Sequence, residues 1–199
     1  GRQSTISNGL RDIALGNGVY INVTDNYHKT AYIPVGSTAA SYGRGALFVG
    51  AISTSFADEN DLIIRDNYTE NYGYAGTAGI GCIEFYWCGS NAIIEGNKSV
   101  GSIYPPIRGK TNCRNVHIFK NSMYAPNEPS AAIAINAPQT GAVKDTIVIE
   151  GNYINGFTSY TASGLIYVTG LSGSPFAGAT FKDNIFVGCT GSTLYQWDY

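Results

Sequence analysis

Residues 92–100 read AIIEGNKSV and residues 147–155 read IVIEGNYIN, two near copies of one short string. A string too short to be a domain, yet repeated within one chain, marks a unit that stacks on copies of itself. Aligning on the asparagine recovers four further copies: INVTDNYH around Asn26, LIIRDNYT around Asn67, VHIFKNSM around Asn121 and ATFKDNIF around Asn184, beside Asn97 and Asn152. The steps between asparagines are 41, 30, 24, 31 and 32 residues, so the core of the unit is constant and the loops between copies vary.

Three residues before each asparagine stand Val23, Ile64, Ile94, Ile118, Ile149 and Phe181, and five before stand Ile21, Leu62, Ala92, Val116, Ile147 and Ala179. All are apolar. Positions two apart share one face of a β-strand, whereas a helix brings together positions three or four apart. Each repeat is therefore a strand with an inward face.

Directly before the asparagines stand Asp25, Asp66, Gly96, Lys120, Gly151 and Asp183. Gly and Asp tolerate tight-turn geometry at low cost, which predicts a corner after the strand. With coils stacked at ~4.8 Å, equivalent asparagines pass amide hydrogen bonds along a ladder. On the outward face, two residues before the asparagine, Arg65 would lie beside Glu95 and Glu150 beside Lys182, which are pairs of opposite sign.

A second strand family falls between the asparagines: GALFVGA (45–51), GCIEFYW (81–87), SIYPPIR (102–108), AAIAINA (131–137), GLIYVTG (164–170) and STLYQWD (192–198). Gly, Ser, Thr and Pro bound these runs, as they bound strands generally. A third short segment follows each asparagine, as in YINGF (153–157) and IFVGC (185–189). Each unit then has three strands and three corners, and no helical run intervenes.

This order fits an all-β fold, a right-handed parallel β-helix of about six coils with an Asn ladder at one corner, better than a sandwich or meander. Over roughly residues 13–199 the pattern resembles the pectate-lyase-like family, whose repeat carries an asparagine between its second and third sheets. The whole chain, 1–199, reads as a single such domain. Residues 27–45, inside the longest step, are too long for a plain corner and are expected to form a loop insertion, as a flap or a subunit contact. On the second sheet, Ile63, Ile93 and Val148 should make an outward apolar stripe, and such stripes usually have a partner.

A net charge of −2 with 13% charged residues leaves no basic footprint for nucleic acid. No apolar run approaches the ~20 residues needed to cross a bilayer, so membrane insertion is not expected. The first residues, GRQSTISNGL, lack Met and the apolar centre of a signal peptide, and STLYQWDY stops within what reads as a strand of a seventh turn. The expectation is a piece of a longer chain.

Four cysteines, at 82, 88, 113 and 189, show no paired CxxC spacing, and only His28 and His117 accompany them. That speaks against structural zinc, and neither metal nor cofactor is expected. Cys88 and Cys113 would fall near one another on adjacent rungs, where a disulfide is one reading and packed free thiols the preferred one. The sequons NVT (22–24), NYT (67–69) and NKS (97–99) fall on strands or ladder positions, so glycosylation is not expected.

Resemblance to sugar-active coils of this family directs attention to the groove along the first sheet. Taking Ile83, Ile103, Ile133, Ile135, Ile166, Val168 and Leu194 as inward, alternation turns Glu84, Tyr104, Ala134, Asn136, Tyr167, Thr169 and Tyr195 outward. Tyr86 and Trp197 join them if no bulge intervenes, and Arg108 follows two prolines. Aromatic planes flanked by amides suit sugar rings, which makes Tyr86, Tyr104, Arg108, Asn136, Tyr167, Tyr195 and Trp197 candidate substrate-binding residues. Stacking of the same rings between rungs is the competing reading.

Hydrolysis needs two carboxyl groups across the glycosidic bond. Glu84 is the one carboxylate within the outward row, and Asp58, Glu59 and Asp61 of the preceding corner are its candidate partners, with Glu84, Asp58 and Glu59 as the catalytic set. An eliminating lyase would use a base and a cation beside a uronate, a role for Arg108 or Lys110. The acidic and histidine motifs of polygalacturonases and the calcium sites of pectate lyases are missing, so whether the chain is an enzyme stays open.

Low charge and abundant Gly, Asn and Tyr most resemble bacteriophage tailspikes. That resemblance implies a homotrimer, on a virion or extracellular, that binds a bacterial surface polysaccharide and in some members degrades it. A secreted monomeric polysaccharide hydrolase or lyase, and a structural or adhesive coil without catalysis, fit the same residues.

Overall fold

The structure, a computed structural model, describes residues 11–16, 20–29, 45–50, 61–70, 82–86, 91–102, 105–110, 115–124, 126, 130–136, 146–159, 164–169, 178–191 and 193–198. The first coil is built from β1 (Arg11–Gly16), β2 (Tyr20–Thr24) and β3 (Tyr27–Lys29). The second holds β4 (Gly45–Gly50), β5 (Asp61–Arg65) and β6 (Tyr68–Glu70), and the third β7 (Ile83–Tyr86), β8 (Asn91–Glu95) and β9 (Lys98–Val100). Then come β10 (Ile107–Lys110), β11 (Val116–Phe119) and β12 (Ser122–Tyr124), followed by β13 (Ile133–Asn136), β14 (Ile147–Glu150) and β15 (Tyr153–Asn155). The sixth coil is β16 (Ile166–Thr169), β17 (Ala179–Lys182) and β18 (Ile185–Val187), and β19 (Tyr195–Asp198) opens a seventh.

Every third strand pairs with the next of its kind. The first sheet runs β1-β4-β7-β10-β13-β16-β19, the second β2 to β17 and the third β3 to β18, and all pairings are parallel. The fold is a right-handed parallel β-helix. Parallel neighbours need a crossover, and here the other two strands of each coil supply it.

The register matches the repeat residue for residue: Ile64 lies beside Ile94, Ile94 beside Ile118, and Ile118 beside Ile149. These four are fully buried, so the inward face predicted from alternation is the core. A buried isoleucine stabilises by about 1.5–3 kcal/mol relative to an exposed one, and the column repeats that gain in every coil.

The six asparagines form one ladder. Side-chain Nδ2 groups donate to the next Oδ1 at 2.8 Å from Asn26 to Asn67, 2.9 Å from Asn67 to Asn97 and 3.0 Å from Asn97 to Asn121. The column continues at 3.0 Å from Asn121 to Asn152 and 2.9 Å from Asn152 to Asn184. From Asn67 onward, each Nδ2 also reaches the carbonyl three residues before the preceding asparagine, as Asn121 does to Ile94 at 2.9 Å. The corner before each asparagine is left-handed throughout: φ is 57° at Asp25, 54° at Asp66, 66° at Gly96, 55° at Lys120, 61° at Gly151 and 52° at Asp183. Lys120 is the residue there with no intrinsic tolerance for that geometry.

The anticipated charge pairs form, with Arg65 to Glu95 at 2.9 Å and Lys182 to Glu150 at 3.9 Å. The apolar stripe of the second sheet is interrupted, because His117 stands between Ile93 and Val148 in register and bonds Glu150 at 2.9 Å. Two of the three sequons are closed, since Asn67 and Asn97 are buried with their amides committed to the ladder. Cys82 and Cys189 are free thiols, and Cys88 and Cys113 lie outside the described residues.

Three sequence expectations need correction. The fourth strand of the first sheet is Ile107–Lys110 and not 102–108, because two prolines cannot donate to a central ladder and the strand starts after them. Residues 27–29 of the expected 27–45 insertion belong to β3, paired with β6, and residues 30–44 lie outside the described residues. The last strand is shifted by one position, so Tyr195 pairs with inward Ile166, and Leu194, taken as inward, is 48% exposed.

The interior changes character along the axis. In the third sheet the inward residues of successive coils are His28, Thr69, Ser99, Met123, Ile154 and Phe186. The first three are polar and buried, and Ser99 donates to the Cys82 sulfur at 3.6 Å. Phe157, Phe181, Phe186 and Tyr195 fill the other end.

Candidate functional site

The outward face of the first sheet is set by alternation from buried Ile83, Ile107, Ile133 and Ile166. The residue after each of these points away from the core, which brings Glu84, Arg108, Ala134 and Tyr167 into one register column across four rungs. A second column, two positions on, carries Asn136 beside Thr169. Thr169 Oγ1 donates to Asn136 Oδ1 at 3.3 Å, which leaves both side chains half-buried at the surface.

Glu84 is on this face but is not open to solvent. Its side chain is 1% exposed, and Arg108 Nη1 approaches Oε1 at 3.4 Å with its own side chain 17% exposed. A general acid must touch the glycosidic oxygen, so a carboxylate enclosed this way is oriented toward Arg108 and not toward a ligand. A charge removed from water is costly unless it is paired, and Arg108 provides the pairing.

Of the candidate binding residues, Arg108, Asn136 and Tyr167 share the outward face within three adjacent rungs. Tyr195 does not belong with them. It packs inside the last coil, stacked on Phe181 at a centroid distance of 4.9 Å and edge-on to Phe186 at 5.5 Å. Trp197 stands in register with inward Val168, not with outward Tyr167 or Thr169, and Tyr86 with Lys110. Alternation counted from Leu194 misplaced Tyr195 by one residue, and a one-residue slip exchanges the faces of a strand. Tyr104, Asp58 and Glu59 lie outside the described residues.

The third sheet holds a row that sequence reasoning did not single out. Tyr27 and Tyr68 stack at 5.0 Å with planes 4° apart. Lys98 Nζ lies 5.8 Å from the Tyr68 ring and 5.4 Å from the Tyr124 ring, and Tyr124 meets Tyr153 at 5.4 Å. The signal was present in the repeat, because the residue after the ladder asparagine is Tyr27, Tyr68, Lys98 and Tyr153 in four of its copies. Tyr27 and Tyr68 cover one face of each other, the Lys98 ammonium lies near Tyr68 and Tyr124, and Tyr124 and Tyr153 meet at a tilt of 41°. A sugar packs its CH face on an open ring face, so this row stiffens the coil more readily than it binds a glycan.

Among the described residues no group of three or more His, Cys, Asp or Glu side chains is arranged to hold a metal ion. No known protein family, curated protein or solved structure matches the chain.

Proposed function

We propose that this β-helix binds a bacterial surface polysaccharide along the outward face of the first sheet, in the manner of the tailspike members of the pectate-lyase-like family. The observation that carries the reading is the run of Arg108, Tyr167 and the Asn136–Thr169 pair on consecutive rungs of one parallel sheet. Rungs repeat at ~4.8 Å, so a linear polymer laid along the axis meets a cation on the first rung, an amide on the second, and an aromatic ring and a hydroxyl on the third. Ring and amide suit a sugar, and a guanidinium pairs with the carboxylate of an acidic sugar.

Binding is favoured over cleavage. Glu84, with 1% of its side chain exposed, holds Arg108 in place, and a hydrolase would need two exposed carboxyl groups flanking the scissile bond. The tailspike likeness extends the proposal to a homotrimer on a virion or outside a cell.

The test is incubation with a panel of capsular and O-antigen polysaccharides, scored for binding, for new reducing ends and unsaturated uronates, and for solution mass. Saturable binding that weakens at least tenfold in Tyr167→Ala and Arg108→Gln, without product release, supports the reading. Absence of binding to every polysaccharide would overturn it in favour of a structural coil. That second reading draws on the Tyr27–Tyr68–Lys98–Tyr124–Tyr153 row, which ties neighbouring rungs without needing a ligand.

A further inference from the structure

The fold treats the three sequons, Asn22-Val23-Thr24, Asn67-Tyr68-Thr69 and Asn97-Lys98-Ser99, in two different ways. Asn67 and Asn97 are 1% and 3% exposed, and the hydroxyl residues that complete their sequons, Thr69 and Ser99, are inward and buried as well. Asn67 Nδ2 donates to Asn97 Oδ1 and to the carbonyls of Val23 and Arg65, each at 2.9 Å. Asn97 Nδ2 makes the same set of contacts, to Asn121 Oδ1 at 3.0 Å, Ile64 at 2.9 Å and Glu95 at 3.1 Å. Asn22 is the opposite case. It alternates with buried Ile21 and Val23 on β2, lies beside Ile63 in register and is exposed.

N-glycosyl transfer needs the Asn-x-Ser/Thr string and leaves a bulky, solvated product. A bond forms from Nδ2 to the anomeric carbon of a lipid diphosphate-linked oligosaccharide, that carbon's bond to the diphosphate breaks, and one Nδ2 proton is released. The product amide keeps one hydrogen where the ladder and the flanking carbonyls draw on two. At Asn67 and Asn97 the nitrogen is also held from both sides by adjacent coils, which leaves no space for a sugar. In the folded protein both sites are closed to a transferase, so modification there must come before folding.

We infer that this chain reaches its fold only where N-glycosyl transferase does not meet it unfolded, and that Asn22 is the one sequon whose glycan the fold accepts. Transfer at Asn67 or Asn97 competes with formation of the ladder, because both use the same Nδ2. At Asn22 the side chain already points to solvent, and no bond of the ladder depends on it. Both statements hold whether or not the first sheet binds a polysaccharide.

The whole chain is expressed in eukaryotic cells in the cytosol, and behind a secretion signal with and without an inhibitor of lipid-linked oligosaccharide synthesis. Protease resistance reads the fold, and mass spectrometry reads each asparagine. The expected cytosolic product is protease-resistant and bare. The secretory product should carry sugar at Asn67 or Asn97 and give at least tenfold less resistant protein, with the inhibitor restoring the yield. Thr69→Val combined with Ser99→Ala removes the two buried sequons and keeps the ladder asparagines. That variant should restore the yield without inhibitor and carry its glycan at Asn22. Four results would overturn the inference: resistant protein glycosylated at Asn67 or Asn97, full secretory yield with those two bare, a loss of yield that the inhibitor does not relieve, or a folded double variant with Asn22 bare. The inhibitor comparison uses the unaltered chain, so it decides even where the double variant folds poorly.

Discussion

Asn97 donates its side-chain amide to Asn121 Oδ1 at 3.0 Å, and Asn121 hands the same bond on to Asn152 at 3.0 Å. Replacing Asn121 by leucine removes the acceptor for Asn97 and the donor for the Ile94 and Phe119 carbonyls in one step. Each buried group left unpaired costs about 1–3 kcal/mol, so Asn121→Leu should lose at least ~3 kcal/mol or fail to fold. Asn26→Leu, at the half-buried start of the ladder, should lose markedly less. Urea unfolding of the two variants checks the order.

Glu84 and Arg108 should behave as a pair. Glu84→Gln leaves a guanidinium that is 17% exposed without its carboxylate, and a loss of about 1–3 kcal/mol is expected, less than for a fully enclosed ion. Adding Arg108→Gln should recover part of that loss. A double-mutant cycle measures the coupling, and full additivity would show that the 3.4 Å contact contributes nothing.

Thr69 is 1% exposed, and its Oγ1 has no hydrogen-bond partner. Valine keeps the branched shape and drops the unsatisfied hydroxyl, so Thr69→Val should leave stability unchanged or raise it by up to ~1 kcal/mol. A loss larger than that, read from the denaturation midpoint, would reveal a buried water bonded to the hydroxyl.

Lys120 holds φ at 55° where Gly or Asp stands in the other coils. Asparagine adopts that region more easily, and the exposed Lys120 contact with Glu95, at 3.8 Å, adds little. Lys120→Asn should therefore stabilise the protein by a few tenths to ~1 kcal/mol, visible as a higher thermal midpoint.

Tyr195 packs on Phe181 and Phe186 inside the last coil. Tyr195→Phe should change stability by less than ~0.5 kcal/mol and leave glycan binding intact, because the hydroxyl has no part in the ring contacts. Tyr195→Ala should cost about 2 kcal/mol, below the range for a fully buried aromatic, since the site is only partly covered. A binding defect in the phenylalanine variant would return Tyr195 to the sugar-facing side.

The coil, its three strand families, the ladder and the left-handed corners were legible in the residues alone. Each depends on a short-range rule that the copies repeat: apolar side chains two apart make one inward face, and, in every copy but the one with Lys120, Gly or Asp before Asn makes a corner. Six copies let those local signals reinforce one another, which is why Arg65 meets Glu95 where the spacing said it would. Tertiary structure decided where the repeat gave no vote. Prolines moved the fourth strand of the first sheet to Ile107, and the last strand took the register that puts Tyr195 among the open aromatics of the coil interior. Burial of Glu84 likewise depends on what lies over an outward position, and no alternation of side chains along a strand encodes that.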